Sequence, residues 1–286
     1  MRQRAEQLAA TLPPLLVAAE RVASTVAQGV HGRRRVGQGD SFWQFRHYAF
    51  GDSARGIDWR QSAKSDHVYV RETEWEAAQS VWLWRDASAS MRYRSDRSLP
   101  EKAERAELVL LALASLLADS GEQVALLGGL RAPARGRAVL DRLIDELGRT
   151  AHDESLPPDI ALPRFGATVW IGDFLSPLPE IEAALARYTG RGIRGYMLQI
   201  LDPAEASLPF NGRVRFDGME GEASTLITRV DAVRDDYRGR FQAHQDGLKA
   251  LAQLAGWHYS AHVTDQGPEK ALMDLYIGLS QAGDRR

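Results

Sequence analysis

The run Val81-Trp82-Leu83-Trp84 constrains the chain more than any other stretch. Four large apolar residues in succession, with no polar alternation, read as a strand buried on both faces. The run stops abruptly at Arg85-Asp86. The same texture returns at 123–127, at 168–171 before Gly172-Asp173 and at 195–201, and 257–263 reads as a last, more polar strand. Helical stretches separate these runs at about 101–118, 137–147, 180–188 and 230–255, and a last one follows at 269–279. Strands alternating with helices predict an α/β fold, a mainly parallel sheet with helices on both faces. Residues 205–228 interrupt the alternation and read as an inserted turn or hairpin, with Asn211-Gly212 and Asp217-Gly218 as turn signals.

Upstream the texture differs. Residues 5–28 have a helical pattern of apolar positions, broken or kinked by Pro13-Pro14. Residues 31–65 are rich in Gly, Arg and aromatic side chains without helical period, which predicts extended segments and turns. The expected organisation is an N-terminal helix and extended β attachment over 1–75, followed by an α/β domain over 76–286. A chain of 286 residues buries a core without covalent staples. The absence of cysteine excludes disulfides, thiolate metal sites and cysteine nucleophiles. A formal charge of -2 argues against a general nucleic-acid binder. The longest apolar run, Leu108 to Ala118, falls short of the roughly 20 residues of a membrane span. Met1 to Leu16 lacks the apolar stretch and small-residue cleavage site of a signal peptide, so a cytoplasmic location is expected.

In a parallel sheet the binding site lies at the carboxyl ends of the strands, where strand order reverses. Two buried runs end there in aspartate, Asp86 and Asp173. Asp86, Ser88 and Ser90 are spaced two apart, so a turn can aim their oxygens to one side. One carboxylate and two hydroxyls form a weakly charged all-oxygen set that suits magnesium or manganese, with waters in the remaining positions. Asp173 supplies a second carboxylate from the neighbouring strand end. The bland reading of the same residues is a helix-capping loop, since Asp and Ser are preferred caps and turn formers. Asp202, before Pro203, reads as a turn residue.

Asp86-Ala87-Ser88-Ala89-Ser90 resembles the D-x-S-x-S motif of von Willebrand factor A domains, the metal-ion-dependent adhesion site. Gly172-Asp173-Phe174 resembles that family's later aspartate. Upstream, Gly39-Asp40-Ser41-Phe42, Arg46-His47-Tyr48, Gly51-Asp52, Arg55-Gly56-Ile57-Asp58-Trp59 and Ser62-Ala63 are similar to the signature of domain-of-unknown-function family 58, a bacterial and archaeal group carrying an A-like domain. The segment His258 to Asp265, with Ala271-Leu272 and Leu275-Tyr276, is similar to the same family. The resemblance covers roughly 32–279 and implies a von Willebrand factor A-like (Rossmann-type) fold. It also implies a metal (Mg2+, or Mn2+ or Ca2+) and a partner role beside MoxR-type AAA+ ATPases. The A-domain pattern has a threonine ligand in mid-sequence; here Thr150 or Ser155 stands in that region, and Ser155 is the candidate hydroxyl.

The expected function is therefore a non-catalytic, metal-dependent interaction module whose partner offers an exposed Asp or Glu. The alternatives are a metal-dependent phosphohydrolase and a scaffold with a vestigial metal loop. Against the enzyme stand the lack of a nucleophile-and-base pair and of a phosphate loop; Gly128-Gly129 lacks the phosphate-loop lysine. His258 and His262 fall on one face of a strand, but no third zinc ligand accompanies them. Trp82 and Trp84 read as core. Arg33-Arg34-Arg35 is offset by Asp40, Asp52 and Asp58, and Arg46, Asp52, Arg55 and Asp58 read as structural ion pairs.

Overall fold

Apolar runs without alternation are stable as strands only when both faces of the sheet are covered. In the computed structural model four such runs and a more polar edge strand form one all-parallel sheet. The structure describes residues 15–27, 42–48, 57–64, 67–73, 80–149, 154–164, 166–219, 221 and 223–283. In chain order the elements are α1 (residues 15–27), β1 (Phe42–His47), α2 (Trp59–Ser62), β2 (Tyr69–Thr73), β3 (Ser80–Arg85) and α3 (Lys102–Asp119). They continue with β4 (Gln123–Leu126), α4 (Ala138–Arg149), β5 (Ala167–Gly172), α5 (Leu178–Thr189), β6 (Arg194–Leu201) and α6 (Pro203–Ser207). The chain closes with β7 (Val214–Phe216), β8 (Thr225–Ile227), α7 (Val230–Leu254), β9 (His258–Val263) and α8 (Glu269–Gly283). Pro13, Pro14 and Arg33 to Arg35 lie outside the described residues, as do Asp40, Asp52 and Arg55.

The sheet order is β4-β3-β5-β6-β9. From β3 the chain goes first to one neighbour and then crosses to the other, so the order reverses between β3 and β5. Alternate side chains of β3, β4, β5 and β6 feed two cores. Val81, Leu83, Val169, Ile171, Leu198 and Ile200 meet α1, α3, α4 and α8 in an aliphatic core. Trp82, Trp84, Trp170 and Met197 meet α5 and α7 in an aromatic one. Trp82 and Trp84 are thus core residues, as expected. The ring of Trp170 lies edge-on to Trp257 at 4.6 Å and to Tyr188 at 5.3 Å. Trp257 reaches that position because Gly195 has no side chain; a Cβ there would stand 2.0 Å from the indole. This is the Rossmann-like α/β architecture expected from the alternation of strands and helices. The inserted segment forms the antiparallel hairpin β7–β8.

The chain divides into two compact units, residues 1–30 with 79–286, and residues 31–78. Helix α1 goes with the larger unit: Ala19, Ala23 and Val26 are buried in the aliphatic core. In the smaller unit β1 and β2 pair antiparallel, with His47 opposite Tyr69, and the Asp58 amide donates to the Tyr69 carbonyl at 2.9 Å. No helix among the described residues is long and apolar enough to cross a membrane.

Candidate metal centre

The crevice at the reversal of strand order is built by local chain geometry. The Asp86 amide donates to the Ile171 carbonyl at 2.8 Å, which carries the β3–β5 ladder one residue past the strand and fixes Asp86 beside the end of β5. The Asp86 side chain is fully buried and lies over Gly172, where a Cβ would stand 2.8 Å from its own Cβ. Asp86 Oδ1 accepts the Ser88 amide at 2.8 Å, an Asx turn that reverses the chain. A single 3₁₀ turn, Ala89–Arg92, follows and is anchored by the buried Met91. It brings Ser90 Oγ within 3.0 Å of Ser88 Oγ, and Ser90 Oγ donates to Asp173 Oδ2 at 2.7 Å. Asp86, Ser88, Ser90 and Asp173 are therefore gathered in one place, Asp86 and Asp173 from the two strand ends that flank the reversal. The Ser155 hydroxyl is 3.0 Å from that of Ser176, three residues beyond Asp173. Thr150 lies outside the described residues.

Two further charged residues share the crevice, and the sequence reading did not select them. Lys102, in the first turn of α3, is fully buried, and its Nζ donates to Asp173 Oδ2 at 2.9 Å and to Glu205 Oε1 at 2.5 Å. A lysine at a helix N-terminus opposes the helix dipole. That mismatch was the available signal that something else holds it. Asp202, buried at the end of β6, accepts the Ala204 amide through Oδ1 and the Ser95 amide through Oδ2, both at 2.8 Å. Glu205 closes the capping box by accepting the Asp202 amide at 2.9 Å. The signal for it was D-P-x-E, an aspartate three residues before a glutamate at a helix start.

Burial opposes the charge on Lys102, but Asp173 and then Glu205 outweigh it, so the ammonium pKa stands above its usual value. Glu205 is pushed up, chiefly by burial, with Lys102 pulling the other way and Asp173 adding to the rise. The crevice thus holds an excess of carboxylates over ammonium groups.

Behind Asp173 the backbone is pinned. Gln199 Nε2 donates to the Asp173 carbonyl at 2.8 Å, and Gln199 Oε1 accepts from the Tyr259 hydroxyl at 2.6 Å and from Gln245 at 3.2 Å. Burial pushes the Tyr259 phenol up to about 12. Phe174 has φ +50°, in the left-handed region, and its carbonyl meets His244 Nε2 at 2.7 Å. Such strained positions persist where surrounding contacts over-determine them, often at functional sites. The two histidines of β9 serve separate ends: His258 stacks on Tyr196, while the buried His262 faces Arg105 at 3.3 Å. Burial, reinforced by Arg105, lowers His262 to about 4.

Among the described residues no three His, Cys, Asp or Glu side chains come together as a metal-ligand group. The donor set is instead mixed. Ser88 Oγ, Ser90 Oγ and Asp173 Oδ2 form a continuous chain of oxygens, with the Asp86 carboxyl at its base. Hard divalent cations accept such a set, and the carboxylate excess favours one. The residues fit a metal, with one qualification built into the fold: Asp173 Oδ2 already carries an ammonium.

Fold and crevice together define a Rossmann-like α/β protein whose acidic and hydroxyl side chains converge at the carboxyl edge of the sheet. The chain belongs to the family described as "Protein of unknown function DUF58", whose profile matches residues 44–247. It is similar to uncharacterized proteins of Mycobacterium bovis and Mycobacterium tuberculosis, 26% identical over 258 residues, covering 84% of this chain and 79% of theirs. No solved structure matches it.

Proposed function

We propose that the chain is a metal-dependent protein-interaction module of the von Willebrand factor A type, with MoxR-type AAA+ ATPases as its partner class. The observation that carries the reading is the run of oxygens from Ser88 through Ser90 to Asp173 at the reversal of strand order. Asp86, Ser88, Ser90 and Asp173 would hold a divalent cation, with Ser155, whose hydroxyl meets that of Ser176, as the candidate further hydroxyl. When bound, the ion supplies an open coordination position for a carboxylate of the partner. The chain's own residues orient the hydroxyls through the Asx turn and keep the loop packed on Met91.

A second feature supports an acidic partner. The loop that follows the 3₁₀ turn carries Arg94 and Arg97, both exposed, and its Ser95 amide is fixed to Asp202 at the edge of the crevice. With Asp96 between the two arginines the loop keeps a net positive charge, which suits an acidic partner. The MoxR assignment rests on the family resemblance.

The test is affinity capture of the tagged full chain from its own cells, in magnesium and after chelation. Release of the captured ATPase by chelator, and its absence from an Asp86→Ala capture, are the expected results. A partner retained through both treatments sinks the bridging mechanism.

A further inference from the structure

The Lys102 side chain is fully buried, and both of its hydrogen bonds go to carboxylates, Asp173 and Glu205. No hydroxyl or carbonyl among the described residues shares it, so two charge-assisted hydrogen bonds hold it in place. The oxygen it meets on one side, Asp173 Oδ2, is the same oxygen that accepts from Ser90. That atom belongs to the proposed metal set. One carboxylate oxygen cannot be close to both an ammonium and a divalent ion without strong like-charge repulsion. Glu205 offers the ammonium a second anchor that does not belong to the metal set.

We propose that Lys102 is a built-in competitor for the metal, an ammonium tethered in the cation site that a divalent ion must displace from Asp173 onto Glu205. The proposal rests on the metal-site reading above. Its consequence is a site that folds with Asp173 already paired to an ammonium and binds metal weakly. Two cations then compete for Asp173 Oδ2. Glu205 is fixed for its part by the Asp202 amide and, through its carbonyl, by the Tyr237 hydroxyl at 2.6 Å. It stays in place to receive the displaced ammonium. A purely structural ion pair at this position makes a different forecast: removing it lowers stability and leaves metal affinity unchanged or worse.

The experiment is calorimetric titration of the full chain with Mn2+, paired with thermal unfolding in chelator and in Mn2+. Four proteins are compared: wild type, Lys102→Met, Lys102→Met/Glu205→Gln and Lys102→Arg. The double variant removes the ammonium together with the carboxylate that would be left uncompensated, so it guards against a single variant that does not fold. Expected is Mn2+ binding at least tenfold tighter in the double variant than in wild type. Lys102→Arg, which retains the charge, should stay as weak as wild type. Where Lys102→Met is unfolded in chelator, Mn2+ should restore its unfolding transition. Equal or weaker binding in the double variant, with measurable binding in wild type, overturns the competitor and leaves the metal site standing. Absence of Mn2+ binding in all four proteins overturns both.

Discussion

β5 and β6 are neighbours, run parallel and both end in a buried aspartate, yet the two ends are finished differently. At the end of β6 both oxygens of Asp202 are taken by backbone amides, and Glu205 completes a capping box. Backbone donors cannot move without unmaking the turn, so this end is a fixed piece of architecture. At the end of β5 Asp173 Oδ1 also accepts a backbone amide, that of Leu175 at 3.3 Å, but Oδ2 is met by two side chains, the Ser90 hydroxyl and the Lys102 ammonium. Side-chain partners can change rotamer and be replaced. Two aspartates at equivalent places in one sheet thus differ in one oxygen: Asp202 has both filled by backbone amides, whereas Asp173 Oδ2 has partners that can be exchanged, as the proposed binding site requires.

The largest effect expected from breaking this contrast is Lys102→Met without metal. It leaves the buried Asp173 and the half-buried Glu205 without a counter-charge, which costs about 3–5 kcal/mol. Urea unfolding in chelator measures it. Next comes Asp202→Ala, which strips acceptors from two amides, at Ser95 and Ala204, and removes a helix cap; about 2–3 kcal/mol is expected. This variant should keep the wild-type response to metal once its lower baseline is allowed for. If it loses that response, the two strand ends are not separable.

The fixed side also carries an acid sensitivity. His262 stays neutral in the fold down to about pH 4, whereas an exposed histidine takes its proton near 6.5. Below pH 6.5 the unfolded chain therefore binds a proton that the folded chain does not. Stability falls from there to pH 4, by up to roughly 3 kcal/mol, and is constant above. His262→Gln should flatten that part of the pH profile, and a profile unchanged from wild type refutes the assignment.

The smallest effect is the metal response itself. Ions at ten times their dissociation constant should stabilise wild type by about 1.4 kcal/mol. That shifts the Tm by roughly 2 °C in a chain of this length, and Asp86→Ala should abolish the shift. Gly172→Ala sharpens the same point, because its methyl would press on the Asp86 side chain.

Some of this was legible from residues alone. Val81 to Trp84 and its counterparts announced a buried parallel sheet, and the structure has it. Asp86, Ser88 and Ser90 lie within five residues, so one Asx turn and one 3₁₀ turn suffice to bring them together. Their grouping is a property of the local chain. Asp202 was read as a turn residue and is a cap, for the same local reason. The strand reading placed His258 and His262 on β9 but could not say that one is exposed and the other buried.

What the sequence by itself determined is therefore what short-range geometry determines: the strands from unbroken apolar runs, the helices from their period, the turn from Asp and Ser at alternate positions. Only the tertiary structure decided that Lys102 meets Asp173, 71 residues away, and Glu205, 103 residues away. An ion pair leaves no periodic trace in a sequence. Its partners are chosen by strand order, and strand order is set by how the helices cover the two faces of the sheet.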